Sequence, residues 1–533
     1  MASAQSNSTP FKSPLANARR DSLITGRYLR RPTFTSPTDH KVSISPTEHS
    51  DLPAFEPAVR EIAYFVLEAG LRAYRREGRT LDFERMPIGD RRRFFRLCHR
   101  GYARGQELLV QALLAVKTSR SSTAASLANA RRERDREAAS RFKAIANVLE
   151  SREAVLRSLG DTIAVAMFQD EKWKIRRYIH HDKPTSISEA ALAAALRRAR
   201  ANNQSNSLSF SLITDITSCI HAGDILKIDF THSPPEISTV ELKEGRVNDA
   251  IGNLLSRNPK PNEEELAALE AEFGKKVRRQ VRRTLDQQAR LSATEGAVAR
   301  EYGVDVRTGV KFIASREHFR VSSWDEEYSQ LIDAAVQSGF AARVIDDSLT
   351  VVAYMAGAAD DEAEFMSHVS PYIDDGILNS VHGIARESTY VDLRNALEQM
   401  TDFRESLRAG EYLTPWVIPV GIDRIHDVVH GRLIVKLHID GTKLIELSRK
   451  LEQPLRWATK QELAPYAETP AAARPARFGR GSLAADRIGS KIFVGDGLLT
   501  RVLFDFTRPS SLIGLVYHET DRADRLHADI VAR

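Results

Sequence analysis

Apolar residues first recur at helical spacing near Phe55, where "FEPAVREIAYFVLEAGLRAYRREG" puts Val59, Ile62, Phe65, Val66 and Leu71 on one face. A second run, "RRRFFRLCHRGYARGQELLVQALLAV", carries the helical pattern on, and it lasts to about Phe168. The period then changes. "NSLSFSLITDITSCIHAGDILKIDF" is rich in β-branched residues and turn formers, which predicts two short strands, and "ISTVELKEG" supplies a third. A long charged helix is expected from about Asn262, after the start signal at Pro261, to about Ala299.

The second half alternates strands such as "TGVKFIAS", "SLTVVAYMAG" and "GRLIVKLHIDG" with helices such as "SWDEEYSQLIDAAVQSG" and "TKLIELSRKLEQ". Such alternation predicts an α/β or α+β fold. "PYAETPAAARPARFGRGS" has no period and reads as a linker, and "KIFVGDGLLTRVLFDF" with "SLIGLVYHE" reads as a hairpin-like ending. At the other end, Ser, Thr, Pro and Arg crowd a stretch whose apolar residues are scattered, so it cannot offset its own ordering entropy. The expected organisation is a disordered basic tail over 1–52, a helical region over 53–155 and a strand-bearing core over 156–300. A mixed α/β region over 301–460, a linker over 461–490 and a β-rich segment over 491–533 complete it.

Composition narrows the classes. The chain has 533 residues, 42% hydrophobic and 28% charged, enough for roughly three domains with cores of their own. No apolar run approaches the ~20 residues of a membrane helix, and the first residues lack an apolar signal core, so a cytoplasmic location and no membrane partner are expected. Two cysteines, Cys98 and Cys219, are too few for a disulfide framework or a cysteine zinc site and are expected to be inert buried thiols. A net charge of +6 with pI near 9.1 permits nucleic-acid binding without demanding it.

The chemistry sits in "GDILKIDFTHSPPEISTVELKEG". On a strand, Glu241 and Lys243 share one face while Leu242 points the other way. Asp224 opens the preceding strand. Two carboxylates on adjacent strands can hold Mg²⁺ (or Mn²⁺) and leave positions for water and a phosphate oxygen, with the Lys243 charge beside that water.

This layout resembles the PD-(D/E)xK nuclease superfamily, with Asp224 and Glu241 at its acid positions, Lys243 at its lysine and Gly223 where its name has proline. The resemblance covers roughly 155–300 and implies a restriction-endonuclease-like α-β-β-β-α-β core, hydrolysis of phosphodiester bonds, and a place in bacterial restriction or phage defence. Such nucleases often carry an acid on the helix before the strands, and "SLGDTIAVAMFQDEKW" offers Asp161 as a further metal ligand. They also often carry a polar residue on the following helix, where "KKVRRQVRRTLDQQARL" presents Gln280 to orient water or phosphate. In the same run Phe273, Val277, Val281 and Leu285 would face a core and leave Arg278, Arg279, Arg282 and Arg283 for phosphates.

Plainer readings compete. Glu-x-Lys can be a solvated ion pair, Asp161 a helix-dipole acid, and the arginines a solvated face. "YIHHDK" (His180, His181, Asp182) reads as a surface turn, "KLHIDG" (His438, Asp440) as a polar strand face, and "VGDGLL" (Asp496) as a tight turn. Phosphate-loop, Ser-His-Asp and dinucleotide motifs are absent. The expectation is a Mg²⁺-dependent nuclease acting on DNA, with protein partners met through the N-terminal helices or the C-terminal half. A catalytically silent scaffold or a nucleic-acid-binding or interaction protein is the alternative, and the oligomeric state stays open.

Overall fold

A computed structural model describes residues 23–27, 46–71, 87–168, 172–179, 188–221, 223–232, 235–242, 246–300, 302–304, 311–313, 321–356, 401–402, 415–417, 420–467, 475–478, 481–487 and 490–517. The first described strand, β1 (Leu23–Arg27), falls inside the expected tail, as does the segment 46–52, where the Thr47 side chain is buried. Both are ordered by distant partners that a local reading cannot weigh: β1 pairs with residues 339–343, and Thr47 bonds His430.

Helix α1 (Glu56–Ala63) begins with a proline in its first turn, buries Val59 and Ile62, and widens into π-helical turns over Tyr64–Leu71. After Pro87 comes α2 (Ile88–Glu133), which ends on left-handed Arg134. Asp135 then caps α3 (Arg136–Met167) by accepting from the Ala138 N–H. This tight corner folds α3 back along α2, and buried residues such as Leu109, Leu113, Leu156 and Leu159 fill the shared core. Each large apolar side chain buried there contributes about 1.5–3 kcal/mol.

Two shorter helices, α4 (Lys172–Arg177) and α5 (Glu189–Ser205), lead into the three strands expected from the β-branched runs. These are β2 (Ser209–Ile213), β3 (Ile225–Asp229) and β4 (Glu236–Val240), an antiparallel meander in the order β2-β3-β4. Side chains engage both edges of the sheet. On β2, Gln106 bonds the Ser211 carbonyl and the Ile213 N–H, and Asn203 bonds both backbone groups of Ser211. On β4, Glu295 accepts from the Thr239 N–H and hydroxyl. The covered edge of β2 is not free to recruit another strand.

The expected long charged helix is interrupted. α6 (Arg246–Arg257) is followed by α7 (Glu263–Phe273), which starts in a capping box between Asn262 and Glu265, and by α8 (Lys276–Arg300). The break falls at Gly274, whose φ of 84° most side chains resist. Val277 and Val281 are buried as the spacing predicts, with Phe273 and Leu285 half-buried beside them. They join Ile251 and Leu255 in a small core separate from the main one. After α8 comes β5 (Tyr302–Val304), which pairs with β6 (Lys311–Ile313), inside the expected strand "TGVKFIAS", in a two-stranded sheet of its own.

The remainder holds α9 (Asp325–Ser338), β7 (Gly339–Ile345), β8 (Leu349–Met355), β9 (Thr401–Asp402), α10 (Ile422–Val429) and β10 (Leu433–Ile439). Strands β1-β7-β8-β10-β9 make an antiparallel five-stranded sheet. Next come α11 (Gly441–Lys450), β11 (Leu455–Trp457), α12 (Lys460–Leu463), β12 (Leu483–Arg487), β13 (Ser490–Phe493) and α13 (Asp496–Phe504), with a final helix over 509–517. Strand β12, inside the expected linker, pairs with both β11 and β13. The expected hairpin-like ending is helical beyond β13, because an unbroken apolar run does not distinguish a buried strand from a buried helix. Asp496 accordingly opens α13 instead of forming a tight turn. Asp440, expected on a polar strand face, caps α11 by accepting from the Thr442 and Lys443 N–H groups.

The architecture is α+β, helices with small antiparallel sheets. Among the described residues no helix is long and apolar enough to cross a membrane.

Candidate functional site

The candidate site lies at the mouth of the β3/β4 hairpin, and α3 builds the approach to it. Gly160 lets α3 come so close to the turn that follows β2 that an added Cβ would lie 2.3 Å from the Ile216 carbonyl oxygen. Arg157, on the same helix, is buried and donates to the Asp215 and Thr217 carbonyls at 2.7 Å each. Asp161 follows one turn later, 1% exposed. Its carboxylate accepts from the Ser218 N–H (2.8 Å), the Ser218 hydroxyl (2.5 Å), the Cys219 N–H (3.3 Å) and the Cys219 thiol (2.9 Å). Burial pushes this carboxyl up to about 6 against the pull of those bonds and of the Arg157 charge. The same burial, with the Asp161 charge beside it, raises the Cys219 thiol, and burial raises Cys98 to about 12. Both thiols are buried, as expected.

From that turn the chain reaches Gly223 and Asp224. The Thr214 hydroxyl donates to the Gly223 carbonyl at 2.5 Å, and the Thr214 N–H donates to the Asp224 carbonyl at 3.1 Å. Gly223 has φ of 71°, and a Cβ there would sit 3.2 Å from both Thr239 Cβ and the Val240 carbonyl. A proline, locked near −65°, cannot occupy this position.

The ladder of β3 with β4 ends at Ile225↔Val240, so Asp224 and Glu241 are the next residues on the two strands at the same end of the sheet. Asp224 reaches across. Its N–H donates to the Val240 carbonyl at 2.9 Å, and its Oδ2 accepts from the Leu242 N–H at 2.5 Å. Both acids are half-buried. They offer the oxygen donors that a hard cation such as Mg²⁺ prefers. Lys243 lies outside the described residues, as do His180, His181 and Asp182.

The structure does not gather every residue singled out in the sequence. Asp161, Asp224 and Glu241 do not form a group of three ligand atoms within 4.8 Å of one another; among the described residues that arrangement occurs at Glu56, His426 and His430. Gln280 donates to Asn248 on α6, roughly 22 Å along α8 from Glu295 at about 1.5 Å per residue. The helix residue that meets β4 is Glu295, which accepts from the Thr239 hydroxyl at 2.7 Å and went unnoticed in the sequence. Arg278 is engaged by Glu263 and Glu270, both of which raise its guanidinium pKa. Arg279, Arg282 and Arg283 are exposed on the face away from the small core.

The cluster at Glu56, His426 and His430 also escaped the sequence reading. Its one local signal is the four-residue spacing in "IHDVVH", which places both imidazoles on one helical turn. Comparison with protein-family models, curated proteins and solved structures gives no match for this chain.

Proposed function

We propose that the chain is a metal-dependent nuclease of the PD-(D/E)xK kind, acting on DNA through Asp224, Glu241 and Lys243. One observation carries the reading: the β3/β4 register sets Asp224 and Glu241 at the same end of one hairpin, after the helix α3 and ahead of the helix α8. Asp224 and Glu241 would hold Mg²⁺ or Mn²⁺, and the bound ion would supply Lewis-acid polarisation of a phosphate oxygen and a more acidic water. Lys243, two residues beyond Glu241, would bring positive charge to the developing phosphorane. Asp161 is committed to Ser218 and Cys219, so its part in this reading is to fix the turn that delivers Asp224. Arg279, Arg282 and Arg283 would neutralise phosphates beyond the scissile bond. A role in restriction or phage defence rests on the resemblance alone.

The test uses purified full-length protein with linear and circular DNA in Mg²⁺, then Mn²⁺, then EDTA. Cleavage is expected in either metal and none in EDTA. Asp224→Ala and Glu241→Ala should lose metal affinity and cleavage together. Lys243→Ala should keep both metal and DNA binding while cutting about 10²–10³ times more slowly, the usual effect of removing one well-placed electrostatic contact. Equal cutting by Lys243→Ala overturns the assignment. Absence of cutting by the folded wild type in every metal, with DNA still bound, favours the silent nucleic-acid-binding reading, to which the three exposed arginines alone would answer.

A further inference from the structure

Helix α10 carries His426, and His430 caps its C-terminus one turn later. Their rings stack at 5.7 Å with planes 12° apart, and each residue is 1% exposed. Glu56, at the start of α1, meets them from a distant part of the chain. One ligand atom from each of the three lies within 4.8 Å of the others. The surroundings fix the rings: Phe55 packs edge-on to His430, Trp416 packs edge-on to His426, and Thr47 Oγ1 lies 2.8 Å from His430 Nδ1. One polar atom stands out, because the buried His426 Nδ1 has no hydrogen-bond partner. A buried polar atom left unmatched is destabilising, and a bound ligand would relieve it.

Charge at first sight opposes a cation, since Arg60 and Arg432 both grip Glu56. Each guanidinium is matched by a further acid, however. Arg60 pairs with Asp423 at 2.8 Å and Arg432 with Asp427 at 2.7 Å, while the neighbouring Arg424 faces Asp333 and Asp427. Four carboxylates stand against three guanidiniums, so the neighbourhood keeps one net negative charge. Two imidazoles and one carboxylate suit zinc and its first-row neighbours, whereas Mg²⁺ prefers oxygen alone.

We infer that Glu56, His426 and His430 bind one divalent transition-metal ion of the zinc type, which clamps α1 to α10. The site is separate in residues and in metal preference from the hairpin carboxylates. Its role is structural, since the imidazoles are closed off from solvent.

The probe is metal alone, on tag-free full-length protein stripped with chelator and dialysed. Zn²⁺ should be retained at one equivalent after gel filtration, by elemental analysis. Co²⁺ should give visible ligand-field absorption that Zn²⁺ abolishes and millimolar Mg²⁺ does not. Glu56→Gln and His430→Gln, which keep side-chain volume, should each weaken Zn²⁺ binding by at least about 10²-fold, because changing even an outer-sphere partner costs 10- to 100-fold. His426→Ala should do the same. Should it fail to fold, the two glutamine variants still decide the question. Failure of the wild type to retain Zn²⁺ and to give a Co²⁺ spectrum overturns the site and leaves a dry aromatic cluster. Zn²⁺ bound equally well by all three variants places the ion elsewhere.

Discussion

Replacing Asp161 by asparagine tests whether that carboxylate is a structural acceptor held against its own burial. In the folded chain its carboxyl titrates at about 6, raised from an ordinary 3.8 chiefly by burial. The native state therefore holds this proton more tightly than the unfolded chain does. The stabilisation is fully present below pH 3.8 and is lost as the pH rises through 6. At about 1.36 kcal/mol for each step by which the folded and unfolded values differ, the full change is about 3 kcal/mol. Most of it, about 2–3 kcal/mol, falls between about pH 4 and pH 7. An amide cannot ionise, so Asp161→Asn should lack this loss and gain on the wild type by that amount over the same range. Urea unfolding followed by tryptophan fluorescence suits the measurement, because the Trp416 indole donates to Ser158, one turn before Asp161. Parallel stability profiles for wild type and variant across that range would refute the argument.

Three further outcomes follow from the same geometry. Gly160→Ala should lower the unfolding temperature with a loss of about 1–3 kcal/mol, since its Cβ meets the Ile216 backbone and not a flexible side-chain tip. Glu295→Ala leaves the Thr239 N–H at the sheet edge without its acceptor and should cost about 1–3 kcal/mol, seen as faster hydrogen exchange at that amide. Arg279→Ala with Arg283→Ala should flatten the salt dependence of DNA binding by close to one counterion per arginine, whereas Arg278→Ala, whose charge Glu263 and Glu270 already answer, should leave the slope unchanged.

The part of the fold legible in the sequence is the part governed by neighbouring residues. Strands β2, β3 and β4 carry their β-branched residues and turn formers locally, and the β3/β4 register leaves Asp224 and Glu241 as the next residues at one end of the sheet. The Val277 and Val281 face was readable from its four-residue repeat. Gly274 was present in the sequence, but the charge pattern runs through it, so the helix break was invisible without its backbone angle. Residues 496–517 misled because burial erases the polar alternation that separates strand from helix. Glu56 with the two histidines was hidden for a different reason: only the pair His426 and His430 is local, and nothing near Glu56 names its partners. Glu295 reaches Thr239 across a shorter gap of 56 residues, which no local pattern reveals either.

The ion pair between Glu56 and Arg432 spans 376 residues. At the ~5–20 residues per second of protein synthesis, helix α1 leaves the ribosome roughly 20–75 s before its arginine does. During that wait Val59 and Ile62 can pack only on what has already emerged, α2 and α3, while the acid that later meets α10 stays in water. Birth order thus divides this chain: a helical front that settles early, and a C-terminal sheet whose docking must fit a surface already made.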